Sequence, residues 1–116
     1  MSKLTTARHF ELFKKEVQFW IDKWGLHEWE ARFLHDSREN DLAALSFNVC
    51  GRVATFILAT EWDVPVTNFQ VKVCGKHEAI ELLLAEYHGI SRARFSTEDE
   101  FLASHHALIR RLEKLL

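Results

Sequence analysis

Residues 45–59 read LSFNVCGRVATFILA, and this stretch decides the fold. Leu45, Phe47 and Val49 alternate with Ser46 and Asn48, Gly51 punctuates, and Val53 to Ala59 supplies a second β-rich run. Two extended runs around a short glycine-containing break predict a β-hairpin. VATFILA is apolar on both faces, which predicts a strand with helices on one side and a groove or second layer on the other.

Upstream, Trp29, Ala31 and Phe33 alternate with Glu30 and Arg32, the period of a third strand, before the polar, turn-forming tract HDSREND from His35 to Asp41. Further back, Phe10, Phe13, Val17, Trp20 and Trp24 recur at three- and four-residue steps, so a helix is expected from Thr6 to Trp24 with Gly25 as its left-handed cap. Downstream, Trp62-Asp63-Val64-Pro65 breaks the pattern, and Thr67 with Gln70 three residues on forms the signature of a helix start. That second helix is expected to reach about His88 and stop at Gly89. Gly75, inside it, costs about 1 kcal/mol relative to Ala and so predicts close approach by a neighbouring element. Ser96 or Thr97, with Asp99 or Glu100 three on, opens a third helix carrying Phe101, His105, Leu108, Leu112 and Leu115 to the C-terminus. The expected architecture is α+β: an N-terminal helix, a three-stranded antiparallel or mixed sheet, and two C-terminal helices.

The chain has 116 residues, 47% hydrophobic and 28% charged, which fits one domain over 1–116 with a core large enough to need no metal or disulfide staple. Fifteen Lys and Arg against seventeen Asp and Glu leave a net charge of −2, so nucleic acid is disfavoured as a partner. Few Gly, one Pro and the absence of repeats confine expected disorder to the ends. No apolar run reaches a bilayer span and no signal peptide is visible, which predicts a soluble, cytoplasmic protein. Cys50 and Cys74 are expected to be reduced thiols. Composition is silent on oligomeric state.

The surplus of chemistry lies in seven His. Residues 76–88 read KHEAIELLLAEYH, where His77 and Glu81 share a helical face one turn apart and Glu78 sits about 100° round from His77. This is the spacing of H-E-x-x-H with Glu in the second ligand position: two side chains at i and i+4 can reach one cation while the carboxylate at i+1 faces a metal-bound water. His105 stands in the apolar stripe between Phe101 and Leu108, which predicts that its imidazole faces the core. His77, Glu81 and His105 together would be a two-His, one-carboxylate ligand set for zinc, with the harder Glu oxygen also admitting manganese or iron.

On these residues the chain resembles the minimal zincin-like metallopeptidases of the SprT-like and small gluzincin type found in bacteriophage and bacterial genomes. The likeness runs through Trp29-Glu30-Ala31, Arg52-Val53-Ala54-Thr55, His77 to Leu84, and His105 to Glu113. It departs at two ligands, Glu81 for the family's second His and His105-His106 for its acidic ligand, and a shift in the third helix would make His106 or Glu100 the third ligand instead. The resemblance implies a metal-dependent peptidase acting on a peptide or protein substrate, with Glu78 as general base. His88 or Tyr87 would assist the oxyanion, and VATFILA would receive an extended peptide by edge pairing. Two other readings stand beside it: a catalytically inactive relative that works by binding, with His105 bonded to Glu81, and a phage accessory protein associated with DNA or another partner. His9, His27 and His35, in or near turns, carry no role and are expected to face solvent.

Overall fold

The computed structural model describes residues 2–92 and 97–113. The chain order is α1 (Ala7–Trp24), β1 (Glu30–Asp36), β2 (Ala43–Asn48), β3 (Val53–Ala59), α2 (Asn68–Arg92) and α3 (Glu98–Glu113), the α+β arrangement expected. Thr6 caps α1 reciprocally: its hydroxyl accepts the His9 N–H, and the His9 ring accepts the Thr6 N–H at 3.0 Å. Gly25 ends the helix at φ 65°, and the buried seam is Phe13, Val17, Ile21 and Trp24.

Among the described residues the strands form one mixed sheet in the order β1-β3-β2, with β1 parallel and β2 antiparallel to β3. The central place of VATFILA explains its apolar character on both faces, and it also corrects the expectation of peptide pairing. Both edges of β3 are already occupied by sister strands. Register sets the inner face in rows: Phe33 and Leu45 flank Phe56, and Ala31 and Phe47 flank Ala54. Phe56 and Leu58 are fully buried and join Phe13, Val17 and Trp24 of α1 in the core, with Val71 and Leu82 of α2. In the β2–β3 turn the left-handed residue is Arg52, at φ 54°, rather than Gly51. Its guanidinium lies 5.3 Å over the Trp29 ring, a contact that offsets part of the roughly 1–2 kcal/mol an L-residue incurs there.

Three further features differ from the local pattern. First, β1 runs on through His35, whose Nε2 lies 2.6 Å from Thr5 Oγ1 while that hydroxyl donates to the Ala59 carbonyl at 2.7 Å. A single hydroxyl proton committed to Ala59 leaves His35 Nε2–H as the donor to Thr5. The ring also stacks on Phe10 at 5.1 Å, and burial, with the charge of His9 second, holds it below the ordinary histidine value of 6.5. Second, residues 2–5 run beside 60–66 through backbone bonds such as Thr5 N–H to Thr60 O, 2.9 Å, and Trp62 N–H to Lys3 O, 2.8 Å. Third, α2 continues through Gly89 to Arg92.

Gly75 does mark a close approach: a Cβ placed there would lie 3.0 Å from Glu16 Cβ and 3.3 Å from the Phe13 carbonyl oxygen, where α1 crosses α2. Thr67 Oγ1 accepts the Gln70 N–H at 3.1 Å at the start of α2, and Thr97 Oγ1 accepts the Glu100 N–H at 3.1 Å before α3. Ser96 and Leu115 lie outside the described residues. Cys50 and Cys74 are free, the first exposed and the second buried. No helix among the described residues is long and apolar enough to cross a membrane.

Candidate functional site

The inward face of α2 carries Val71, Cys74, Glu78, Leu82 and Ala85 at helical steps, so one carboxylate stands in an otherwise apolar stripe. Glu78 is 7% exposed. It opens into a groove of about 280 Å³, between α2 residues Gln70, Val73, Cys74 and His77 and the segment Asn40–Ala43 that enters β2. That segment is held by Leu42, whose carbonyl accepts both the Ala59 N–H at 2.9 Å and the Trp62 indole N–H at 3.1 Å. The Trp62-to-Pro65 break therefore has a use: it returns an indole that pegs the groove's far wall.

Among the described residues no hydrogen-bond donor reaches the Glu78 carboxylate. Desolvation by burial is the main cause of its raised pKa, about 7 against 4.5, and the negative charges of Glu81 and Asp41 push in the same direction while His77 opposes them. Asp41 shares one oxygen with Arg38 at 3.0 Å. Cys74, one turn before Glu78, has its thiol pKa raised by burial and by the Glu78 charge, against a hydrogen bond with Gln70.

The expected ligand trio does not assemble. His77 and Glu81 point outward, with side chains 67% and 53% exposed, and face each other across 3.4 Å as a solvated i, i+4 pair. His105 is exposed rather than core-facing, because the inward stripe of α3 passes through buried Ser104 and half-buried Phe101, Leu108 and Arg111. Arg111 fixes that rotation by donating to Glu28 at 2.8 Å. The His105 ring lies 5.7 Å from Tyr87, ten residues beyond His77 and therefore about 15 Å further along the α2 axis. Tyr87 packs on Phe101 at 5.2 Å, His88 meets Phe47 edge-on at 6.5 Å, and His106 meets His105 at 6.2 Å. Glu100 is an exposed first-turn residue of α3. These groups belong to the far end of the α2–α3 pair.

Among the described residues no group of three or more His, Cys, Asp or Glu could hold a metal ion. Zinc, manganese and iron sites are thereby removed, and with them the metallopeptidase assignment and the general-base role of Glu78, which required a metal-bound water. No family model, no curated protein and no solved structure matches the chain. The zincin resemblance read from the sequence is thus overturned: the local spacing of His77, Glu78 and Glu81 is present without the convergence that gives it chemistry. What the sequence did not single out is Asp41 and Asn40, read as turn residues. Their role depends on β2 lying beside α2, a pairing with no local signal.

Proposed function

We propose that the protein acts by binding, and that the groove between α2 and Asn40–Ala43 takes a cationic side chain, an ammonium or guanidinium, of a peptide or protein partner. The observation that carries this reading is Glu78: a carboxylate nine-tenths buried, without a donor among the described residues, and facing a groove lined also by Asp41 and His77, with the charge of Glu81 acting on it from outside the groove. Burying a carboxylate unpaired is costly, and a cation brought against it recovers the interaction that burial removed. The same negative field repels phosphate, in keeping with the net charge of −2.

The test is a ¹H–¹⁵N titration with N-acetyl-lysine methylamide and, separately, its norleucine analogue. The lysine compound is expected to move amide signals of 40–43 and 70–78 saturably, and the norleucine compound to leave them in place. Equal shifts from both, or shifts confined elsewhere, would refute the reading.

A further inference from the structure

The opposite flank of α2 carries a second cavity of different chemistry. It has a volume of about 340 Å³, within the range of small-molecule sites, and lies where α1, α2 and α3 meet. Its surface is formed by Trp20, Trp24, Ile80, Leu83 and Leu112 with Lys23 and Lys76. Ile80 and Leu112, 38% and 40% exposed, leave apolar surface open along it.

The charge at this cavity is arranged around one ring. The Lys76 ammonium lies 4.7 Å and the Lys23 ammonium 5.2 Å from the Trp20 centroid. The nearby Glu16 carboxylate is committed to the Trp20 indole N–H at 2.6 Å. Trp24, 2% exposed, has a buried indole nitrogen without an acceptor among the described residues. The lysines thus supply positive charge beside apolar walls. We infer that this cavity binds a small amphiphilic carboxylate, its apolar body between Ile80, Leu83 and Leu112 and its anionic head beside Lys23 and Lys76. A carboxylate beside the two ammoniums gains charge-assisted contacts, while the body buries exposed apolar area. The groove beside Glu78, proposed to take a cation, is a separate site, and neither proposal depends on the other.

Octanoate is the probe, followed by ¹H–¹⁵N spectra of the full chain, with octanol and octylammonium as controls. Octanoate is expected to shift the Trp20 and Trp24 indole signals saturably below its micellar range, octanol to bind about tenfold more weakly, and octylammonium not to bind there. The double variant K23Q/K76Q, altering two exposed side chains, should lose about tenfold in octanoate affinity while its octanol affinity and amide spectrum hold. The charge-preserving K76R variant should keep octanoate binding. Octanol binding as tightly as octanoate, an unchanged octanoate affinity in K23Q/K76Q, or the absence of saturable indole shifts would each overturn the inference, and binding by a macromolecular partner alone would do the same.

Discussion

Gly75 and Glu16 face each other where α1 crosses α2, at a separation that leaves a Cβ on Gly75 only 3.0 Å from the Glu16 Cβ. The crossing sets how closely α2 lies on α1, and so which flank of α2 turns towards β2 and which towards α3.

Gly75→Ala sets two effects against each other. Alanine gains about 1 kcal/mol of helix propensity, but its methyl meets Glu16 Cβ and, at 3.3 Å, the Phe13 carbonyl oxygen, a backbone atom that cannot swing away. The clash wins by about 1 kcal/mol, so Gly75→Ala is expected to lower the urea midpoint. Gly75→Leu should lower it further, and a midpoint raised by alanine would mean that the helices separate freely.

Thr5→Val tests the polar pin between the N-terminal segment and the sheet. It removes the donor to Ala59 O and the acceptor for His35 Nε2–H at nearly constant volume, and should cost about 1–3 kcal/mol in chemical denaturation. A cost near zero would mean that water replaces both bonds.

His77→Ala combined with Glu81→Ala should change stability by less than about 0.5 kcal/mol, because the pair is exposed and solvated. Dialysis against a chelator should likewise leave the thermal midpoint unmoved. A chelator-dependent fall in that midpoint would restore a metal to the fold.

Stability should depend on pH through Glu78. Its folded pKa, about 7, exceeds the unfolded value near 4.5, so between those values the folded chain binds more protons and stability falls as pH rises. His35 acts oppositely: its lowered folded pKa makes stability rise with pH up to about 6.5. Comparing Glu78→Gln with the parent isolates the carboxylate. Discounted for the water that reaches the groove, the variant should be more stable by about 2 kcal/mol at pH 8 and nearly equal at pH 4.5. A constant difference across that range would assign the effect to shape rather than charge.

How much of this could be read from the chain differs by level. The α1 stripe, its Gly25 cap and the alternation of β2 and β3 act within a few residues and were legible. Strand order was not: apolar residues on both faces of VATFILA suit a central strand as well as the wall of a cleft, and only the parallel return of β1 decides. The α3 stripe was ambiguous by one residue, because Phe101-His105-Leu108-Leu112 and Phe101-Ser104-Leu108-Arg111 have equally helical spacing. Hydropathy favours the first, while the contact of Arg111 with Glu28, 83 positions away, selects the second. In the sequence Glu78 reads as a general base beside a metal. Its neighbours on α2 suggest a metal, whereas its burial and the approach of Asp41, which raise its pKa, come from tertiary contacts with no local signal.

The central claim is most directly tested by the ¹³C titration of the Glu78 side-chain carboxyl, with and without saturating N-acetyl-lysine methylamide. A midpoint near 7 is expected in the free protein, with a clear fall when the ammonium is bound, because an adjacent positive charge favours the ionised carboxylate. A midpoint that stays the same on addition of the lysine compound, or one already near 4.5 in its absence, would contradict it.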